Sequence, residues 1–206
     1  MTIEQKVARA LLKIGAVGFV PDNPITFKSG IVSPVYIDNR KLPFYPEEWK
    51  IVIDAFSKII KKEEIKLDVI AGVEAAGIPH SAGLGFFMKM PSVFVRKVAK
   101  EHGTKKMVEG GNVLNRHVLL IEDLVTTGMS SLSAVGNLRE AGAKVSNCLV
   151  IVSYNFPSAK DAFKKSKVKL HTITSFPVIL EEAKKLGMIN GENLKKVENW
   201  FKENTK

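Results

Sequence analysis

Short apolar runs alternate with amphipathic helical stretches over most of the chain. Five runs, bounded by turn-forming or charged residues, predict buried strands at residues 68–72, 92–96, 117–123, 146–153 and 169–175. Helical stretches separate most of these runs, and a helix that joins two strands makes them parallel through a right-handed crossover. The pattern therefore predicts an α/β fold with a doubly wound parallel sheet, whose ligand site lies at the carboxyl edge of the strands.

The region before residue 46 has a less regular pattern. Thr2 is a suitable cap for a first amphipathic helix, and prolines and glycines interrupt the segment that follows it. Short strands are expected at residues 25–28 and 34–38, and a long amphipathic helix follows. We expect a single domain over residues 1–206, made of a hood-forming accessory lobe (1–45) and an α/β core with C-terminal helices (46–206).

Composition narrows the class of protein. The chain has 206 residues, of which 45% are hydrophobic and 25% charged, as is usual for a soluble domain. No apolar stretch reaches the roughly 20 residues of a membrane span, and the charged N-terminus is unlike a secretory signal. We therefore expect a cytoplasmic protein without membrane contact. Cys148 is the only cysteine, and its apolar surroundings predict a core position.

The formal net charge of +10 is compatible with nucleic acid, anionic lipid or a highly anionic small substrate as a partner. Runs of mixed sign at residues 61–66 and 181–185 are typical of exposed helix faces. The segment RKVAKEHGTKK, residues 96–106, is different because its basic residues cluster without apolar periodicity. It predicts a mobile cationic loop.

The segment VLLIEDLVTTGMS, residues 118–130, carries the clearest chemistry. Its apolar run leads to Glu122 and Asp123, which would lie at the carboxyl end of a central strand. Residues 126–130 would then surround a helix N-terminus, whose free N–H groups and dipole favour a phosphate, while an acidic pair accepts hydrogen bonds from vicinal hydroxyls. A plain buried strand and capped turn is the alternative. It does not require two adjacent carboxylates, which are costly to bury, so we favour a site for a phosphorylated ribose.

A second loop leaves the same predicted edge. Gly72 and Gly77 bracket residues 73–76, where small side chains would let backbone amides approach a diphosphate. An ordinary strand-to-helix connection with Pro79 early in the helix explains these residues equally well.

Four segments occur in a characteristic order: FKSGIVSPVYIDNR, GVEAAGIPH, RKVAKEHG and VLLIEDLVTTGMS. Together they resemble the orotate phosphoribosyltransferases, a branch of the type I phosphoribosyltransferases. The most discriminating segment is RKVAKEHG, since that family carries an Arg-Lys pair and a later Lys and His in a mobile loop. The resemblance implies Mg²⁺-dependent transfer of ribose 5-phosphate from 5-phosphoribosyl 1-pyrophosphate (PRPP) to orotate in pyrimidine biosynthesis, yielding orotidine 5′-monophosphate and pyrophosphate. It also implies a homodimer in which the loop reaches the neighbouring subunit's site.

The resemblance further implies a role for each matching residue. The implied catalytic residues are Asp123, Glu122, Lys100 and His102. The implied pyrophosphate ligands are Arg96, Lys97, Lys100 and His102, and the 5′-phosphate ligands are Thr126, Thr127, Gly128, Met129 and Ser130. The ribose hydroxyls would bind Glu122 and Asp123, and orotate would contact Lys28, Tyr36 and Thr126. No protein ligand for Mg²⁺ is implied, because PRPP itself would hold most of the metal.

One segment departs from the family pattern. After the strand at 146–153 the family commonly has an Asp-Arg pair whose arginine contacts the orotate carboxylate, whereas this chain has Ser153-Tyr154-Asn155. A phosphoribosyltransferase for another pyrimidine or purine base therefore stays open. So does a non-catalytic, PRPP-sensing regulator that binds nucleic acid through its basic surface. Catalysis is favoured over nucleic-acid binding because the basic residues cluster in one loop rather than along a recognition helix.

Overall fold

A computed structural model of the protein describes residues 1–27, 29–98 and 106–205. The first 45 residues form one helix, four short strands and a 3-10 helix. These elements are α1 (Ile3–Lys13), β1 (Val17–Phe19), β2 (Ile25–Thr26), β3 (Val32–Ser33), β4 (Val35–Ile37) and the 3-10 helix Asn39–Phe44. The strands pair antiparallel as two small ribbons, β1 with β4 and β2 with β3.

The rest of the described chain alternates strands and helices around one six-stranded sheet. Its strands are β5 (Val69–Val73), β6 (Ser92–Val95), β7 (Val108–Glu109), β8 (His117–Val125), β9 (Lys144–Ser153) and β10 (Lys169–Ser175). The helices are α2 (Pro46–Lys62), α3 (Gly77–Met88), α4 (Met129–Glu140), α5 (Pro157–Lys165), α6 (Phe176–Lys185) and α7 (Gly191–Asn204).

The spatial order of the sheet is β10-β9-β8-β5-β6-β7, with β8 near its centre. All five strands expected from the sequence are present and run parallel. The sheet is mixed at one edge, where a sixth strand that the sequence did not predict, the two-residue strand β7, pairs antiparallel with β6. The described structure has no helix between these two strands, and a strand that returns without a crossover helix pairs antiparallel.

Helices cover both faces of the sheet, as the doubly wound prediction requires. Alternate side chains of β8 enter two cores: Leu119 and Ile121 pack with residues of α1, α2 and α6. Val118 and Leu120 pack with residues of α4 and α5. Cys148 lies in the second core and is fully buried, as predicted.

Helix α1 belongs to the main core even though it precedes the accessory ribbons. It contacts α2, α6 and β10, and its Val7 and Leu11 are fully buried. Thr2 forms the expected cap, in which its hydroxyl accepts the N–H of Gln5. Among the described residues, no helix combines the length and apolar character that crossing a membrane requires.

Candidate active site

The acidic pair lies near the carboxyl end of β8. The strand continues to Val125, two residues past the end expected from the sequence, so Glu122 and Asp123 are held in the sheet. Glu122 is buried, and its carboxyl accepts hydrogen bonds from Ser131 Oγ at 3.3 Å and from the N–H of Asp123 at 3.2 Å.

Burial and the adjacent Asp123 carboxyl raise the pKa of Glu122 well above its ordinary value. Burial also raises the pKa of Asp123, while the positive charge of Lys97 acts in the opposite direction on both groups. The pair therefore tends to keep a proton on Glu122. One protonated and one ionised carboxyl can donate to one hydroxyl oxygen and accept from another, which suits the two vicinal hydroxyls of a ribose.

Residues 126–130, here called the phosphate turn, lead from the end of β8 into the first turn of α4. Gly128 has φ +83°, a left-handed conformation that favours glycine, and it precedes the first residue of α4. A Cβ at this position would lie 2.7 Å from a ring carbon of Phe163. The turn borders a small cavity of about 70 Å³ whose lining also includes Ser29. Residues at the N-terminus of α4 therefore border this space, and a helix N-terminus favours an anion.

A second cavity, of about 240 Å³, joins the phosphate turn to the start of the cationic segment. Its lining includes Arg96 and Lys97, which directly follow β6, together with Met129 and Ser130 from the start of α4. Two cations and a helix N-terminus thus border one space, which favours a multiply charged anion.

The loop after β5 holds the start of the cationic segment in place. Glu74 Oε2 accepts the N–H of Lys97 at 2.9 Å, and the N–H of Glu74 donates to the carbonyl of Val95 at 2.9 Å. The Glu74–Ala75 peptide bond is cis. A Cβ at Gly77 would lie 2.6 Å from the carbonyl oxygen of Ile121, so glycine lets this loop pack closely against β8.

Comparison with known proteins identifies the family. Residues 45–183 match the model of the phosphoribosyl transferase domain. A protein of Phocaeicola vulgatus named orotate phosphoribosyltransferase is 40% identical over 202 residues, which cover 98% of this chain and 95% of that protein. The chain belongs to the orotate phosphoribosyltransferase family. A protein of Coxiella burnetii with the same name is 37% identical over 198 residues, 96% of this chain and 95% of its own.

Solved structures agree with this assignment to the orotate phosphoribosyltransferases. The enzyme of that name from Aeropyrum pernix superposes with a TM-score of 0.77 at 29% identity, covering 89% of this chain and 99% of its own. The UMP synthase of Leishmania donovani superposes with a TM-score of 0.85 at 28% identity. That match covers 97% of this chain and 42% of the longer Leishmania protein.

The structure brings together most, but not all, of the residues that the resemblance to orotate phosphoribosyltransferases singled out. Arg96, Lys97 and the phosphate turn border adjoining cavities, and the acidic pair lies on the strand that leads into this turn. Lys28, Lys100 and His102 lie outside the described residues. Tyr36 is in β4, where its hydroxyl accepts a hydrogen bond of 2.8 Å from Arg40, and it is not among the described residues that line either cavity.

Tyr154 occupies the position at which orotate phosphoribosyltransferases commonly have an arginine. It is fully buried, and its ring packs against Phe27, Phe156, Phe176 and Trp200 at centroid distances of 5.2 to 5.8 Å. Burial raises the pKa of its hydroxyl above the ordinary value. Tyr154 therefore serves as a core residue here, and its neighbour Asn155 adopts a left-handed conformation with φ +58°.

Sequence reasoning missed the polar contacts of Asn39, His80 and Trp49, of which Asn39 reaches the acidic pair. Trp49 Nε1 donates to His80 Nδ1 at 3.1 Å, and the side-chain amide of Asn39 donates to the carbonyl of Asp123 at 2.8 Å. Asn39 and His80 are both fully buried. A polar residue in a short 3-10 helix has no periodicity to mark it, so only the tertiary structure shows that it reaches β8.

Proposed function

We propose that this protein transfers the ribose 5-phosphate group of PRPP to orotate at the carboxyl edge of β8. The observation that carries this proposal is the joining of three features at one place: the acidic pair, the phosphate turn and the cations Arg96 and Lys97. These features match the hydroxyls, the 5′-phosphate and the pyrophosphate of PRPP, respectively. Family membership, at up to 40% identity over nearly the whole chain, supports the same activity.

In this reaction the bond between the anomeric carbon and the pyrophosphate oxygen breaks, and a bond from that carbon to a ring nitrogen of orotate forms as that nitrogen gives up its proton. Positive charge grows on the sugar and negative charge on the leaving group. Arg96 and Lys97 stabilise the leaving pyrophosphate electrostatically, while the phosphate turn fixes the opposite end of the molecule. Asp123 and Glu122 hold the two hydroxyls and so orient the anomeric carbon. By resemblance, Lys100 and His102 add to the pyrophosphate site, and Lys28, Tyr36 and Thr126 contact orotate.

The site suits a Mg²⁺ ion that binds together with the phosphates of the substrate. Within the described residues, no group of three or more His, Cys, Asp or Glu side chains could hold a metal ion by themselves. Mg²⁺ is often bound through one or two carboxylates together with substrate phosphates, and the acidic pair supplies carboxylates beside the cavity for the pyrophosphate. When bound, the metal would neutralise charge on the leaving group.

The test is a spectrophotometric assay in which orotate absorbance falls when protein, Mg²⁺ and PRPP are mixed. Asp123→Asn should abolish most of the turnover while the circular dichroism spectrum stays unchanged. The exposed Glu140→Gln should behave like the wild type. The same assay with other pyrimidines and purines determines which base the protein accepts, a question that arises because the arginine common in the family is absent. A flat trace with folded wild-type protein would contradict the proposal, and salt-sensitive nucleic-acid binding without turnover would favour the regulator instead.

We also propose a homodimer with shared sites. The 3-10 helix, α2 and α3 expose large apolar side chains, among them Phe44 at 81% and Phe86 at 90% of their surface. Trp49 of α2 packs over Gly83 of α3, so these two helices form one surface. Exposed aromatic residues of this kind are typical of interfaces. Phe86→Glu should give a monomer in analytical ultracentrifugation, whereas a wild-type protein that sediments as a monomer would refute the dimer.

Sharing of sites can be examined by complementation. If the cationic loop acts on the neighbouring subunit, mixing inactive Lys100→Ala and inactive Asp123→Asn proteins should restore part of the activity, because some mixed dimers then carry one intact site. Mixtures that stay inactive although the subunits exchange would show that each site uses its own loop.

A further inference from the structure

The C-terminal helix α7 is tied to the accessory ribbon formed by β2 and β3. Trp200 Nε1 donates a hydrogen bond of 2.6 Å to the carbonyl oxygen of Val32 in β3. Lys196, one turn earlier, forms an ion pair of 3.0 Å with Asp22 in the segment that leads to β2. The ion pair and the hydrogen bond of Trp200 both lie at exposed positions, so each alone is a weak tie.

The same tryptophan packs into the aromatic cluster around Tyr154, which also contacts the ribbon through Phe27. Trp200 lies edge-on to Tyr154 at a centroid distance of 5.8 Å, and Tyr154 in turn contacts Phe27 at 5.5 Å. Phe27 is the residue that follows β2, and hydrogen bonds from its N–H to Ile31 and from Gly30 to its carbonyl close the turn of the ribbon. The helix therefore holds the ribbon at Val32, and the cluster holds it at Phe27.

The turn of this ribbon borders the phosphate site. Ser29 lies in the lining of the 70 Å³ cavity together with the phosphate turn. The Oγ atom of Ser29 is buried and has no hydrogen-bond partner among the described residues. A buried hydroxyl without a partner is costly, and a ligand oxygen in the cavity would satisfy it.

We propose that α7 is a clasp that holds the β2–β3 ribbon against the phosphate turn, and that Trp200 is thereby a positioning residue for PRPP binding. This inference rests on the function proposed above. The clasp joins α7 to a wall of the site through the hydrogen bond of Trp200, the ion pair of Lys196 and the edge-on contact of Trp200 with Tyr154. The ribbon has only two residues in each strand, and a two-stranded ribbon of this size is not stable alone, so the clasp sets its position.

Trp200→Phe tests the inference because it keeps an aromatic ring and removes the N–H donor. We expect the KM for PRPP to rise by roughly fivefold, the ratio that corresponds to one net hydrogen bond, while kcat stays unchanged. Amide hydrogen exchange should become faster at Phe27 and Gly30 and stay as in the wild type along β8 and β9. Lys195→Ala, on an exposed position of the same helix, is the matched control and should change neither measurement.

Two results would overturn the clasp: unchanged exchange in the ribbon, or faster exchange with an unchanged KM. If Trp200→Phe fails to fold, Phe27→Leu loosens the other end of the same contact and should give the same rise in KM and the same local exchange. The exchange measurement needs no turnover. An inactive wild type would therefore refute the proposed function, while the exchange data would still report on the clasp.

Discussion

The side-chain amide of Asn39 donates a hydrogen bond of 2.8 Å to the main-chain carbonyl of Asp123. Asn39 begins the 3-10 helix that links the accessory strands to α2, and Asp123 lies near the end of β8. The two residues are 84 positions apart in the chain. This bond connects the accessory region to the backbone of the acidic pair, so the position of the proposed ribose site depends on a residue outside the main sheet.

Asn39→Ala should lower both stability and catalysis. The substitution leaves a carbonyl without its donor in a largely buried place, which typically costs about 1–3 kcal/mol of unfolding free energy. It also frees the backbone that carries Asp123, so kcat/KM for PRPP should fall. Asn147→Ala is the matched control, because Asn147 bonds His171 away from the site at 2.9 Å and should affect stability alone. Equal kinetic effects in both variants would contradict a specific role for Asn39.

Glu122→Gln should change how stability depends on pH. The raised pKa means that folded protein keeps a proton which an unfolded glutamate loses near its ordinary value of 4.5. The folded state then binds more protons, so the unfolding free energy falls as pH rises from this value to the raised pKa. The glutamine variant has no ionisable group at this position, so its unfolding free energy does not show this decrease. Its melting temperature should exceed that of the wild type by more at about pH 8 than at about pH 5.

The exposed Glu140→Gln serves as the control for Glu122→Gln and should follow the wild-type curve. Turnover of Glu122→Gln should fall even though its stability rises, because an amide cannot share a proton with Asp123 as the Glu122 carboxyl does. A constant difference in melting temperature across the pH range would mean that Glu122 is ionised in the folded protein.

His80 predicts a pH effect of the opposite sign. Burial lowers its pKa from 6.5 to about 4, so between these values the unfolded chain binds more protons than the folded protein. Stability should therefore decrease as pH falls through this window. His80→Gln, which can still accept the N–H of Trp49, should show a shallower decrease in thermal unfolding experiments. Parallel curves for the two proteins would show that His80 already carries a proton in the fold.

Two glycines of the same region give a matched pair. Gly128→Ala should destabilise the protein and weaken PRPP binding in calorimetry, because residue 128 has φ +83° and its Cβ would lie 2.7 Å from Phe163. Gly136→Ala, inside α4, meets nothing within 4 Å and should stabilise the protein by about 0.5–1 kcal/mol. A tolerated Gly128→Ala with normal PRPP affinity would argue against the proposed role of the turn.

The sequence by itself determined the layout of the core and the identity of the chemical groups. Five strands were predictable because the interior parallel strands are apolar runs, the edge strand β10 alternates apolar and polar residues, and helical stretches separate most of them. The phosphate turn was recognisable because its glycine, hydroxyls and preceding carboxylates are contiguous in the chain. Such signals are local, and the antiparallel strand β7, with two residues, is too short to carry one.

The tertiary structure alone decided which distant residues support those groups. Asn39 reaches Asp123, Glu74 holds the N–H of Lys97, and Trp200 reaches Val32, and none of these pairs is close in the chain. It also placed Tyr154, which stands where the family commonly has an arginine, in a buried aromatic cluster. The physical reason is that hydrogen bonds and packing depend on distances set by the closed core, whereas periodicity reports only which face of an element is buried.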